Sequence, residues 1–100
     1  MIEVQLSKHS TEKIIVTFDA NVLRYFSVLD VRSRVSASGR IHAGHIKSIE
    51  IKTNKKGKQV LLVMTKFDAR FSQDEIDLEA LDKVKALVAE VQRAMQTTTL

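Results

Sequence analysis

The sequence predicts a mainly β (α+β) domain: a bent antiparallel sheet or partly open barrel of about seven strands, capped by one long C-terminal helix. Three observations predict this fold. Short β-branched and aromatic segments alternate with turn signals over residues 1–72. Val60–Met64 is continuously apolar, which is typical of a strand covered on both faces and favours curvature over a flat sheet. The last quarter of the chain carries an apolar stripe at helical spacing.

The first four strands follow from alternation and β-branched content, and we predict them at 2–6, 13–18, 22–28 and 30–36. Asp19-Ala20-Asn21 predicts the turn between the second and third strands. In the fourth segment Arg32 and Arg34 share one face, and valines alternate with them. Ser36–Gly39 predicts a loop after it.

The later strands are predicted at 45–53 and 59–65, joined by a tight turn over Asn54–Lys58. A short last strand is predicted to run through Phe67, Ala69 and Phe71. Tyr25 is the expected exposed aromatic, and the four phenylalanines are expected in the core: Phe18, Phe26, Phe67 and Phe71.

The C-terminal helix is predicted from Gln73 to Gln96, about 36 Å long at 1.5 Å per residue. Ser72–Glu75 has the form of a capping box, and acidic residues crowd the first turns, where the helix dipole favours them. Ile76 and Leu87 are expected off the stripe. The stripe comprises Leu78, Leu81, Val84, Val88, Val91 and Met95.

Composition indicates one domain over residues 1–96, followed by a disordered tail at 97–100. Residues 1–72 hold thirteen Lys/Arg against six Asp/Glu, whereas residues 73–100 hold three against six. The absence of cysteine excludes disulfides, thiolate metal sites and a Cys nucleophile. No secretion signal and no membrane-length apolar run is recognised, so we expect a cytoplasmic protein.

His42 and His45 are spaced three apart, which would suit a metal pair on a helix. In an extended segment they would point to opposite faces, although a bend at Ala43-Gly44 could turn one ring. We interpret them as the start of a strand. None of the common nucleophile, phosphate-loop or zinc motifs is present. We therefore expect no enzyme activity, no metal site and no cofactor.

Basic residues supply the candidate binding surfaces. One group surrounds the predicted turn at Gly57: Lys52, Lys55, Lys56 and Lys58. Such a turn could contact phosphates or an acidic surface, or it could be an ordinary solvated turn that protects a strand edge. Arg32 and Arg34, with Arg24, form a second candidate group.

The chain also resembles a small bacterial pleckstrin-homology-like (PH-like) domain over nearly its whole length. The resemblance lies in the G-R-I-x-x-x-x-I-x-S-I-x-I step, the turn, the apolar strand, the F-x-x-x-F segment and the final helix. These residues are Gly39, Arg40, Ile41, Ile46, Ser48, Ile49, Ile51, Lys55–Lys58, Val60–Met64, Phe67, Phe71 and the helix from Asp74. The resemblance implies a binding module for proteins or lipid headgroups.

The function expected is a non-catalytic binding module, acting by protein–protein interaction or by peripheral contact with an acidic surface. The alternative is a small nucleic-acid-binding protein that uses the basic sheet and hairpin, ranked lower because exposed stacking aromatics are few. A protein partner ranks first, ahead of an acidic lipid surface and nucleic acid. A homodimer through the end of the helix is a further expectation.

Overall fold

The computed structural model describes residues 1–9, 12–29 and 34–97, and at 9, 29 and 34–38 it describes the backbone. Its strands are β1 (Ile2–His9), β2 (Glu12–Asp19), β3 (Val22–Leu29), β4 (Arg34–His42), β5 (Ile46–Thr53), β6 (Gln59–Thr65) and β7 (Arg70–Glu75). One helix, α1 (Leu81–Thr97), follows, and short 3₁₀ turns lie at Ala43–His45 and Leu78–Ala80. The predicted mainly β fold with a C-terminal helix is confirmed.

The strands form two antiparallel sheets that do not close into a barrel. The first sheet has the order β1-β2-β3-β4 and the second β5-β6-β7. The 3₁₀ turn at Ala43–His45 joins them, and the Ala43 N–H donates to the Asn21 carbonyl at 2.7 Å. Helix α1 packs against β1 and β5, so it covers both sheets. The core lies between these three layers.

The helix begins at Leu81, eight residues later than predicted. Ser72–Glu75 is not a capping box but part of β7, where Ser72 lies opposite Val63 and Glu75 opposite Val60 on β6. The backbone groups of these residues pair with a neighbouring strand, and tertiary pairing overrides the local helix signal. Helix α1 is therefore about 26 Å long. It includes Thr97, where the tail was expected to begin.

The buried face of the helix also differs from the predicted stripe. The predicted stripe member Leu78 is 86% exposed, whereas Leu87 and Ile76, both expected off the stripe, are buried. The segment before the helix explains this difference. The Ile76 N–H donates to the Gln59 carbonyl at 2.9 Å, and the Asp77 N–H donates to the Leu6 carbonyl at 2.8 Å. These bonds fix a crossing between the sheets, so the helical period starts only after it.

Strand β4 contains the segment that the sequence suggested was a loop. Ser36–Gly39 lies inside β4, paired with β3 across a bulge between Tyr25 and Phe26. Residues 30–33 of the predicted fourth strand lie outside the described residues. Gly39 has a φ of +156°, and a Cβ there would come within 3.3 Å of Phe71 Cζ. The glycine thus permits close packing of β4 on β7 rather than ending a strand.

The turn between β5 and β6 is as predicted. The side-chain oxygen of Asn54 accepts from the N–H groups of Lys56 and Lys58, both at 2.9 Å. Gly57 has a φ of +80°, and its N–H donates to the Asn54 carbonyl at 3.0 Å. Asparagine and glycine therefore each make the contribution that their residue type predicts in a tight turn.

The burial predicted for Tyr25 and Phe67 is reversed in the structure. Tyr25 is 4% exposed and lies in the core, whereas Phe67 is 85% exposed in the turn between β6 and β7. Burial raises the pKa of the Tyr25 phenol well above its usual 10, opposed by the hydrogen bond from Ser72. Phe18 is buried as expected, and Phe26 and Phe71 are half-buried.

Candidate functional site

Two arginines lie directly opposite each other on the outer face of the first sheet. Arg24 on β3 pairs in register with Arg40 on β4, two residues along from the pair formed by Val22 and His42 on the same face. Arg24 is half-buried and Arg40 is exposed. Like charges directly opposite in a sheet are destabilising. The Arg24–Arg40 pair lowers stability and does not pack in the core, so a role in binding would explain its presence.

Within the described part of the chain, neither guanidinium forms an ion pair or a side-chain hydrogen bond. Register places two carboxylates on the same face, Asp19 opposite Val22 and Glu3 opposite Thr17, and neither forms an ion pair with Arg24 or Arg40. The positive charge of the pair is therefore open to a ligand.

Two histidines extend this cluster at the end of β4. The His42 ring is 6.4 Å from the His45 ring, edge to face at 78°. The chain turns through Ala43–His45, so the two rings do not point to opposite faces as they would in a fully extended segment, and His45 directly precedes β5 as predicted. The His42 Nδ1 accepts from the Gly44 N–H at 3.0 Å, so the neutral ring carries its proton on Nε2. That N–H is a further donor.

These four side chains line one concave pocket of about 310 Å³ with Val22 and Ile41. We call it the arginine pocket: Arg24, Arg40, His42 and His45. Its polar side chains are two guanidinium groups and two imidazoles, and no carboxylate lines it. Two guanidinium groups can bind the oxygens of a planar or tetrahedral anion by bidentate hydrogen bonds. The chemistry of the pocket therefore suits an anion.

An apolar surface continues from the arginine pocket across the sheet. A second hollow of about 430 Å³ lies between Arg24, Arg40, Phe26 and Gly39, and a third of about 280 Å³ between Phe26, Val28, Ile15 and Glu3. We call Ile15, Phe26 and Val28 the apolar row. Phe26 lies opposite Ile15 across β2 and β3, and all three side chains are half-buried. The solvated face of an antiparallel sheet is usually polar, so this row indicates a docking surface.

The predicted lysine group lies elsewhere. It surrounds the turn after β5, at the opposite end of that eight-residue strand from His45, about 26 Å away along the strand. Lys52 pairs with Glu50 at 3.3 Å and Lys58 with Glu75 at 3.4 Å. Lys55 and Lys56 are exposed in the turn itself. The structure therefore does not merge this group with the arginine pocket.

The predicted arginines are placed only in part. Arg32 lies outside the described residues, and Arg34 is in β4 opposite Leu29, with its backbone alone described. Arg40, His42 and Phe26 were missed as binding residues. Arg40-Ile41-His42 does carry a signal, because alternation on a strand places its first and third residues on one face.

Two other hollows have less uniform chemistry. One, of about 550 Å³, lies beside the lysine turn and mixes Lys58 with the carboxylates of Glu75, Asp77 and Glu79. The other, of about 230 Å³, opens between the sheets beside Tyr25, Ser72 and Asp74. Burial raises the pKa of the Asp74 carboxyl above its usual value. The first hollow mixes charges of both signs and the second offers only the Asp74 carboxyl, so the arginine pocket is the better candidate for binding an anion.

Comparison with known proteins gave no match to any family model, curated protein or solved structure. The described residues contain no group of three or more histidine or carboxylate side chains that could hold a metal ion. They also contain no helix with the length and apolar character needed to cross a membrane.

Proposed function

We propose that this chain is a non-catalytic, PH-like binding module of the cytoplasm that contacts an acidic protein partner through the outer face of its first sheet. Seven antiparallel strands in two sheets followed by a C-terminal helix support the fold class. The observation that carries the proposed function is the opposed pair Arg24 and Arg40, unpaired with any described carboxylate.

The apolar row favours a protein over an acidic lipid surface as the partner. If the arginines alone contacted a bilayer, Ile15, Phe26 and Val28 would stay half-exposed and make no contact with it. A peptide segment can place acidic residues at the arginine pocket and apolar residues along the row. A homodimer through the helix would have to use its outer surface, because Leu87 and Val91 are already buried within the chain.

Two matched variants test this proposal. Arg24→Gln with Arg40→Gln and Lys55→Gln with Lys56→Gln each remove two positive charges, one pair from the arginine pocket and one from the lysine turn. The probe is a fluorescent peptide that alternates glutamate and leucine, and anisotropy measures its binding at low and physiological salt. We expect the arginine variant to bind at least about tenfold more weakly and the lysine variant to keep its affinity.

Equal loss in both variants would show a response to net charge and would contradict the assignment to the arginine pocket. Loss in the lysine variant alone would move the surface to the turn around Gly57. A lipid contact is tested by co-sedimentation with phosphatidylcholine vesicles, with and without phosphatidylserine. Binding to the anionic vesicles at physiological salt, in the absence of peptide binding, would replace the protein partner with a membrane.

Single-stranded nucleic acid is the second candidate, and one observation favours it: Phe26 shares a hollow with Arg24 and Arg40. Single-strand binders combine cations with an aromatic ring on which a base stacks. Oligothymidylate binding by the wild type and by Phe26→Leu measures this. A loss of about tenfold, with Phe67→Leu as the unaffected control, would support nucleic acid.

A further inference from the structure

The arginine pocket has the size and donor set of a site for one compact, multiply charged anion. The two arginines come from adjacent strands, and His42 and His45 also line the pocket. The Nε2–H of His42 is a donor whose tautomer is set by the Gly44 N–H. A single carboxylate carries one charge, whereas a phosphate monoester carries about −1.5 to −2 near pH 7 and three acceptor oxygens.

We infer that the arginine pocket binds the phosphate of a phosphorylated side chain in a protein partner, and that the apolar row binds the residues beside it. This inference rests on the proposed function and specifies its partner. Clustered arginines are the general means by which proteins bind such phosphates.

The layout of the surface sets the order of residues in the partner. Arg24, Phe26 and Val28 follow one another on the same face of β3 at intervals of about 6.6 Å. An extended segment lying along β3 would place its phosphorylated residue at the arginine pocket. Its side chains two and four positions away would then lie on the apolar row, and these are expected to be apolar.

The apolar row also decides between a peptide and a nucleotide. A nucleic-acid platform stacks successive bases on aromatic rings, and in the apolar row only Phe26 is aromatic. Ile15 and Val28 are aliphatic and suit aliphatic side chains. A phosphorylated peptide therefore uses both parts of the surface, whereas a nucleotide would use the arginine pocket and one ring.

The first test uses small probes and histidine NMR signals. The chain has three histidines, and the Cε1–H signals of His42 and His45 can be assigned with His42→Gln and His45→Gln. Phenyl phosphate is titrated at pH 7.5, with benzoate and phenyl sulfate as singly charged comparisons. We expect saturable shifts of both signals, and affinity for phenyl phosphate at least about tenfold above that for either comparison.

The variant Arg24→Gln with Arg40→Gln should lose these shifts, and Lys55→Gln with Lys56→Gln should keep them. Similar affinities for all three anions would show a general cation cluster and overturn the phosphate site. Adenosine monophosphate binding about tenfold more tightly than phenyl phosphate would overturn the peptide in favour of a nucleotide.

The second test separates this inference from the proposed function. A peptide with one phosphoserine followed by leucines at the second and fourth positions is compared with the same peptide carrying glutamate instead. We expect the phosphorylated peptide to bind at least about tenfold more tightly. Equal affinity that still depends on Arg24 and Arg40 would overturn the phosphate inference and leave the acidic partner intact. No binding of either peptide would overturn both.

Discussion

The hydroxyl of Tyr25 accepts a hydrogen bond of 2.8 Å from the hydroxyl of Ser72, and this bond joins the two sheets. Tyr25 lies on β3 and Ser72 on β7, 47 positions apart in the chain. The Tyr25 ring also meets Phe71 edge to face, with 5.8 Å between ring centroids. One residue thus supplies a hydrogen bond and an aromatic contact where the sheets face each other without closing.

Tyr25→Phe should lower the free energy of unfolding by about 1 kcal/mol. The ring and its contact with Phe71 remain, while the Ser72 hydroxyl loses its acceptor. Urea denaturation with Ser72→Ala and the double variant completes a thermodynamic cycle. We expect the second substitution to cost less once the first is present. Strict additivity of the two costs would show that the bond contributes nothing to stability.

Asp74→Asn should stabilise the protein at neutral pH. Burial raises the pKa of the Asp74 carboxyl above its usual 3.8, so the folded chain keeps this proton to higher pH than the unfolded chain. The stability linked to this proton is present below pH 3.8 and is lost as the pH rises through the folded value. The gain is expected to be under about 1 kcal/mol, because the half-buried carboxylate is partly screened by solvent.

Urea denaturation of the wild type and of Asp74→Asn between pH 3 and 7 measures this difference. The two stabilities should converge at the acidic end of the range and separate as the pH rises. A variant that is less stable at pH 7, or a difference independent of pH, would contradict a cost of burying the charge.

Gly39→Ala should cost about 1–3 kcal/mol, since the new methyl group would meet Phe71 in a packed site. Its φ of +156° adds strain for any other residue. Gly57→Ala is the matched control, because φ there is +80° but nothing lies within 4 Å of the new methyl group. Chemical denaturation of Gly39→Ala with and without Phe71→Leu separates the contributions. A partial rescue by the smaller side chain would confirm steric contact.

Leu87→Ala should cost about 2–5 kcal/mol, and Leu78→Ala less than about 0.5 kcal/mol. Leu87 is fully buried in helix α1, whereas Leu78 is 86% exposed. Thermal and urea unfolding of both variants tests the order. Comparable costs would mean that Leu78 is covered in solution, which would itself identify an interface.

Leu78 and Leu87 also show where the helical pattern in the sequence failed to predict the structure. Apolar residues at spacings of three and four fitted a helix that included Leu78, and acidic residues after Ser72 fitted its first turns. Those residues instead form β7 and a crossing, where Asp74 lies opposite Leu61. Strand β7 is an edge strand with polar residues on its inward side as well as its outward side. Apolar and polar residues therefore do not alternate along it, and the sequence carried no period-two signal for a strand.

The binding surface was predictable to a lesser degree than the fold. Local composition located the turn at Gly57 and its lysines, because turn chemistry is local. The opposition of Arg24 and Arg40 depends on the register of β3 and β4 and on the bulge between Tyr25 and Phe26. Register arises from packing between distant segments. The sequence predicted a loop at Ser36–Gly39, so the predicted strand ended before Arg40 and the pairing of Arg40 with Arg24 was not foreseen.

Arg40→Glu should stabilise the fold while it weakens binding. A glutamate at this position would face Arg24 across the strands, replacing repulsion with attraction worth about 0.2–1 kcal/mol. The gain should shrink as salt rises, since exposed charges are screened within about 10 Å at 0.1 M salt. Urea denaturation at low and high salt, with Lys55→Glu as a control outside the sheet, measures it. If Arg40→Glu lost stability at low salt, the two guanidinium groups would not repel each other. The electrostatic cost from which we infer a binding surface on this face would then be absent.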